Sequence, residues 1–333
     1  MSLRVEAPGL LTTVQDLGRR GYQHLGVGPA GAMDEVSHRL ANLLAGNPEG
    51  AATLEITLAG PVLRFETERV VALCGADLSP RVEDRPLPQW RPVLVAAGAR
   101  LTFGRPVQGA RCYLAVAGGY RVEPVMGSAS THLAAGFGGF HGRALKRGDQ
   151  LELGAAPQPY PSLRDRLRRT GAPLAAPPWF VPWHHDLDFL RPAALRLVPG
   201  PQWPRLQAAA RATLLEATYT VAPQSDRMGL RLRGPALALD RPLEMVSAGV
   251  ATGTVQLPPD GAPIVLMADR QTTGGYPRLG DLASVDLPRA AQLRAGDEVR
   301  FQAITLDLAQ ELYLGREARF RELAEALRAR QQS

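Results

Sequence analysis

The sequence predicts a mainly β fold: two related β-barrel lobes with a few helices and a C-terminal helix. Three observations predict it. Short runs of strand pattern dominate, and they are split by glycine and proline, which fill 63 of the 333 positions. That punctuation marks a barrel or sandwich, not alternating βα units. The length suits about two domains. Three motifs of the first half return, in the same order, in the second.

From Thr53 to Leu58 the chain alternates, with Leu54, Ile56 and Leu58 on one face and Thr53, Glu55 and Thr57 on the other. Gly60-Pro61 interrupts, and Val62 to Phe65 resumes. Val70 to Leu73, Val93 to Ala96, Arg111 to Ala117 and Gln150 to Leu153 read as further strands. In the second half the same holds for Leu195 to Val198, Tyr219 to Val221, Leu230 to Leu232, Ile264 to Ala268 and Glu298 to Ile304. Three helices interleave. Asp34 caps one that carries Val36, Leu40, Leu43 and Leu44 and stops at Gly46-Asn47-Pro48. Pro204 suits the first position of a second, reaching about Ala217. The third runs from Leu308 to Arg330 with an apolar stripe of Leu308, Leu312, Phe320, Leu323 and Leu327.

The internal echo sets the domain plan. Leu58-Ala-Gly-Pro-Val-Leu63 returns as Leu232-Arg-Gly-Pro-Ala-Leu237. The stretch from Gly109 to Tyr120 has a longer counterpart from Gly261 to Tyr276. Leu145-Lys-Arg-Gly-Asp returns as Leu293-Arg-Ala-Gly-Asp. Two copies of one lobe, drifting in loop length, explain all three. The expected domains are a lobe at 1–154, a linker or strap at 155–193, a lobe at 194–305 and a helix at 306–333. The strap holds eight prolines in 39 positions, and its Trp179, Phe180 and Trp183 are expected to lie on protein surface.

Composition excludes several chemistries. The formal charge is +6, yet Lys146 is the single lysine. Arg147 follows it, so the chain has no G-x-x-x-x-G-K-[ST] phosphate loop. It is not flanked by methionines, so the chain is not its own biotin carrier. Lys146 is also the sole candidate for any Schiff-base step. The arginines are spread without interleaved aromatics, which argues against nucleic acid. Cys74 and Cys112 sit in apolar runs and read as buried reduced thiols. No apolar run approaches about 18 residues and no signal pattern opens the chain, so a cytoplasmic location with no membrane partner is expected. His184-His-Asp-Leu-Asp188 lacks a spaced third ligand, and no metal site is expected.

The candidate site residues fall in polar runs between strand signals. Gly26-Val-Gly28-Pro-Ala-Gly31 has the G-x-G-x-x-G spacing, but no apolar strand leads into it, so it is not a dinucleotide fingerprint. Gln15, Asp16 and Arg19 cluster between glycines, either as an Asp-held turn or as a ligand-facing group. Gln224, Ser225, Asp226 and Arg227 offer an amide, a hydroxyl, a carboxylate and a guanidinium in succession, either shaping a turn or clamping an anion. Ala268-Asp-Arg-Gln-Thr-Thr-Gly-Gly-Tyr-Pro277 is the most informative run. An apolar strand feeds straight into a polar loop longer than a hairpin needs. Asp269 is a candidate base or anchor and Arg270 a candidate anion partner. Gln271, Thr272 and Thr273 suit an amide or urea-like group.

Six motifs now converge. Gln15-Asp-Leu-Gly-Arg19, Gly31-Ala-Met-Asp34, Leu54-Glu-Ile-Thr57, Gln224-Ser-Asp-Arg-Met-Gly229, Gln256-Leu-Pro-Pro-Asp-Gly261 and the 268–277 run resemble the allophanate hydrolase subunit 2 family, also called KipA-like or the 5-oxoprolinase C-subunit family. The resemblance runs from residue 1 to about 305. It implies two cyclophilin-like β-barrel lobes and relation to the carboxyltransferase part of urea carboxylase. It also implies a role in ATP-dependent opening of 5-oxoproline, with two other proteins: a KipI-like B subunit and a separate, lactam-opening A subunit. The family often has glutamate where this chain has Ala248.

Under that resemblance the expected catalytic residues are Asp269, Arg270, Asp226 and Arg227. The expected substrate-binding residues are Gln15, Asp16, Arg19, Asp34, Glu55, Gln224, Ser225, Gln271, Thr272, Thr273 and Tyr276. ATP is the expected nucleotide, with Mg. Two alternatives stand beside this one. One is a carboxyltransferase using carboxybiotin carried in trans and a urea- or amide-like acceptor. The other is a non-catalytic antagonist binding a KipI-like kinase inhibitor.

Overall fold

The computed structural model describes residues 2–155, 160–183, 194–241, 243 and 245–331. The chain divides into two compact units. The first comprises Met1–Arg19, Ala30–Leu187 and Phe320–Ser333, and the second Arg20–Pro29 and Asp188–Arg319.

The first unit holds two six-stranded sheets. One runs in the order Gln150–Glu152, Ser2–Ala7, Val62–Phe65, Arg100–Thr102, Arg81–Val82, Arg85–Pro86. The other runs Leu174–Ala175, Pro92–Val95, Arg69–Asp77, Gln108–Val116, Thr53–Thr57, Leu11–Gln15. Leu3, Leu54, Ile56, Leu63, Phe65, Leu73 and Leu114 meet in one fully buried core. The alternation read at 53–57 is real, but its polar face is buried as well: Thr53 and Glu55 are as inaccessible as Leu54 and Ile56. What covers that face is the helix Glu35–Ala45, which packs on Arg69–Asp77 and Gln108–Val116. Asp34 caps it, accepting a hydrogen bond from the Ser37 N–H at 2.9 Å, and Gly46 ends it in the left-handed region at φ 82°.

The second unit is a closed seven-stranded barrel: Ala194–Pro199, Arg278–Leu282, Thr254–Gln256, Ile264–Leu266, Gly229–Arg233, Tyr219–Val221, Glu298–Ala303. A parallel pairing of the first and last strands shuts it, with Ala194 opposite Arg300 and Leu197 opposite Ala303. Leu197, Tyr219, Val255, Val265, Leu279 and Phe301 are buried.

The helix predicted from Pro204 to Ala217 is two pieces: a 3-10 turn Trp203–Arg205 and an α-helix Ala208–Glu216. Leu206 breaks it. This residue is extended, nearly fully buried, and bridges Leu239; burying its side chain outweighs one more helical turn. Inside the proline-rich stretch, Pro161–Thr170 forms a helix. Trp179 packs on the cluster of Val70, Tyr160 and Leu163, and Trp183 meets the Phe320 ring edge-on at 5.7 Å. Phe180 stays 45% exposed beneath the Arg91 guanidinium. The terminal helix spans Leu306–Arg330; of its predicted stripe Phe320 and Leu327 are buried, whereas Leu308 is exposed. Among the described residues no helix is long and apolar enough to cross a membrane.

Candidate functional site

The second unit gathers the catalytic candidates. Strands Gly229–Arg233 and Ile264–Leu266 pair antiparallel. Backbone bonds continue that ladder past the strand ends, from Met267 N–H to Met228 O and from Asp269 N–H to Arg227 O, both at 2.9 Å. The register therefore sets Arg227 opposite Asp269. Their side chains form a two-pronged ion pair, Nε to Oδ2 and Nη2 to Oδ1, each 2.9 Å, with both residues buried. This is the fork-to-fork geometry in which arginine holds a carboxylate most strongly.

Arg270, next along, is 5% exposed. Its Nε donates to the carbonyl of Val250 at 3.3 Å, and its Nη1 is buried with no hydrogen-bond partner. Burial pulls its pKa below the usual arginine value. The loop beyond is tied down at three places. Val250 N–H donates to Thr272 O, Ala248–Gly249 pairs with Thr273–Gly274, and the buried Gln256 amide reaches both ends of the bend. Gln256 Oε1 accepts from Gln271 Nε2 and Gln256 Nε2 donates to Tyr276 O, each 3.4 Å. A Cβ at Gly274 would press on Gln256 Nε2 and push the amide out of its present place. Ala248 lies directly opposite Gly274. Tyr276 walls a cavity of about 690 Å³ lined also by Leu237, Leu243, Met245 and Leu257.

Asp226, Ser225 and Gln224 serve their own hairpin. Asp226 Oδ1 accepts from the N–H groups of Met228 and Gly229 at 2.8 and 3.2 Å. Ser225 Oγ accepts from Arg231 N–H at 3.0 Å, and Gln224 Oε1 from Arg233 Nη2 at 3.4 Å. These bonds are the turn-shaping geometry.

The first unit gathers Gln15, Asp16 and Arg19. The Asp16 carboxylate accepts from Gly18 N–H (2.8 Å), Ala129 N–H (2.6 Å), Ser128 Oγ (2.7 Å) and Ser130 Oγ (2.5 Å). Burial alone raises its pKa; the bonds from Ser130, Ser128, Ala129 and Gly18 outweigh that and hold it below the ordinary value. Gln15 Nε2 donates to Thr13 Oγ1 and Thr131 O, which fixes the amide and leaves Oε1 buried without a donor. Arg19 Nη2 donates to Ser130 O, and its guanidinium lies 4.8 Å from the centre of the Phe137 ring. Sequence reading did not single out Ser128, Ser130, Thr131 or Phe137. The signal for them was the polar run Ser128-Ala-Ser-Thr131 followed by the glycine-rich Gly136-Phe-Gly-Gly-Phe-His-Gly142.

Asp34 and Glu55 share a third, fully buried network. Tyr113 Oη donates to Glu55 Oε2 and accepts from Asp34 N–H, while Met33 N–H donates to the same Glu55 oxygen, all at 2.8 Å. Next to it His38 Nδ1 meets Thr53 Oγ1 at 2.8 Å, and burial drives its pKa down to about 4. These bonds fix the entry to the Glu35–Ala45 helix.

Among the described residues no group of three His, Cys, Asp or Glu side chains is placed to hold a metal ion. His184-His-Asp-Leu-Asp188 lies outside the described residues. Cys74 and Cys112 are buried thiols, and burial raises both pKa values.

Residues 25–303 match the carboxyltransferase domain, subdomain A and B. The chain is 39% identical to the C subunit of 5-oxoprolinase from Escherichia coli (strain K12), over 97% of either chain. Two solved structures are similar. The K. lactis urea amidolyase superposes with a TM-score of 0.82 at 30% identity, covering 95% of this chain and 19% of that one. The Kluyveromyces lactis urea carboxylase does so with 0.83 at 29%, covering 95% and 28%. The chain thus spans under a third of the length of either.

Proposed function

This chain belongs to the carboxyltransferase domain family, subdomain A and B, and from that premise we propose that it is the C subunit of an ATP-dependent 5-oxoprolinase. In that reading it works with a KipI-like B subunit and a lactam-opening A subunit to convert 5-oxoproline to L-glutamate. The observation that supports it is the match, end to end on both sides, to a protein of that name; the urea-processing relatives are several times longer than this chain.

The chemistry suits the residues at the corner of Arg227, Asp269 and Arg270. A lactam is a poor electrophile. Phosphorylating its oxygen makes it a good one, and that step asks for fixed cations and hydrogen-bond donors more than for a nucleophile. Arg270 supplies a buried positive charge. Gln271, Thr272 and Thr273 supply neutral donors and acceptors for an amide. Asp269, gripped at both oxygens by Arg227, anchors the start of the loop. ATP gives its terminal phosphoryl group to the lactam oxygen and leaves as ADP. One water adds to the activated carbon and the ring C–N bond breaks to give an acyl phosphate. A second water releases phosphate and L-glutamate, with no step assigned to a metal on this chain.

The test is reconstitution. The purified chain is mixed with its KipI-like and lactam-opening partners, 5-oxoproline and ATP, and L-glutamate is followed. ATP-dependent release that needs this chain is the expected result. Turnover appearing only with a biotinylated carrier and a urea-like acceptor assigns the chain to the carboxyltransferase alternative, which the urea carboxylase likeness supports. Tight binding of the KipI-like partner with no turnover under either condition assigns it to the antagonist.

A further inference from the structure

Arg227 and Arg270 are neighbours in the same corner and differ in charge balance. Arg227 is neutralised by the two-pronged contact with Asp269. Arg270 spends Nε on a neutral acceptor, the Val250 carbonyl, and keeps a buried Nη1 with no partner. Among the described residues, the carboxylates of the adjoining elements are committed elsewhere. Asp269 is held by Arg227, Asp226 by the N–H groups of Met228 and Gly229, and Asp281 by Thr254 Oγ1 at 2.6 Å and Arg278 at 3.0 Å. Arg270 itself faces no carboxylate among the described residues.

A buried cation without a counter-ion is costly, and folded proteins pair such charges or reserve them for a ligand. The lowered pKa of Arg270 comes from burial, with no carboxylate raising it back. With Nε occupied, the two Nη groups are left for a ligand, and that edge suits an oxyanion taking two parallel N–H bonds. We propose that Arg270 is an oxyanion-binding residue, and that the oxyanion is the carboxylate of the substrate. The second half rests on the function proposed above. A nucleotide phosphate has the same chemistry and is the other source to be told apart.

Calorimetric titration of the purified chain, alone and with its partner proteins, separates these. The readout is the affinity gap within two ligand pairs: L-5-oxoproline against 2-pyrrolidinone, which lacks the carboxylate, and ATP against adenosine. In the wild type the anionic member binds at least about tenfold tighter, the range of a charge-assisted hydrogen bond. R270Q closes the gap and R270K retains part of it. The pair whose gap closes identifies the anion. A gap that closes for ATP alone keeps the anion site and overturns the carboxylate assignment. No gap in the wild type for either pair, or a gap unchanged in R270Q, overturns the proposal. R270Q removes an uncompensated buried charge, so its melting midpoint stays at or above that of the wild type. A lowered midpoint with equal loss of the neutral ligands marks a purely structural arginine and also overturns it. Loss of glutamate release from the reconstituted enzyme with the gaps intact bears on the functional reading and leaves the anion site standing.

Discussion

Asp269 and Arg227 are joined by two hydrogen bonds of 2.9 Å in a buried corner, so altering either residue takes a two-pronged contact from the other. Asp269→Ala takes the two-pronged carboxylate from the buried Arg227 guanidinium and is expected to cost about 3–5 kcal/mol of stability. Replacing both at once, as R227M/D269L, recovers most of that loss. Urea unfolding of the two variants checks it: a double variant as unstable as D269A contradicts the pairing.

Gln256 holds the 271–276 bend from both ends. Gln256→Leu keeps the volume and removes the amide. Each lost bond is worth about 1 kcal/mol, so the melting midpoint falls by a few degrees and the fold persists. In the reconstituted enzyme the expected loss is in kcat, with KM for 5-oxoproline shifted, because the loop residues Gln271 to Thr273 lose their fixed positions. Equal kinetics in Q256L and the wild type remove the clamp from the mechanism.

His38 is buried and neutral, with its pKa lowered from 6.5 to about 4. The unfolded chain takes up the proton first, so stability is complete above pH 6.5 and drains away as the pH falls toward 4, by about 3 kcal/mol in all. His38→Gln has no such proton to gain. Urea midpoints between pH 7 and 4.5 should therefore fall more steeply for the wild type than for H38Q; parallel curves contradict the assignment.

Gly138 sits at φ 70°, where a Cβ would collide with Ser130 O and lie 2.8 Å from Arg19 Nη2. Gly138→Ala is expected to destabilise the protein by about 1–3 kcal/mol through strain and to displace Arg19 from the Phe137 ring. A structure of G138A with Arg19 unmoved would sink the second half of this prediction.

Much of the fold was legible because local signals agreed with tertiary demand. Val62–Phe65 and Tyr219–Val221 match their sequence ranges, and Asp34 and Gly46 bracket their helix. Leu11–Gln15 was not read as a strand, because Thr12, Thr13 and Gln15 look solvent-facing. All three are buried, since the strand lies in a sheet whose exposed-looking face is covered. The Asp269–Pro277 loop was legible as a polar run fed by an apolar strand. The neutralisation of Asp269 was not, because Arg227 lies 42 positions away. For the same reason the four donors around Asp16 were invisible: three of them come from residues 112 to 114 positions distant.

The parallel seam between Ala194–Pro199 and Glu298–Ala303 dictates when this lobe can form. A ribosome must release the final strand before the cylinder can close: Ala194–Pro199 finds one neighbour earlier, in Arg278–Leu282, and its other edge waits for Glu298–Ala303. Until then two bare edges offer unpaired peptide groups to whatever chain is nearby. Such long-range closure folds slowly, so the lobe stays open until its last strand has been made. Truncation before Glu298 leaves an aggregating fragment in place of a smaller working domain.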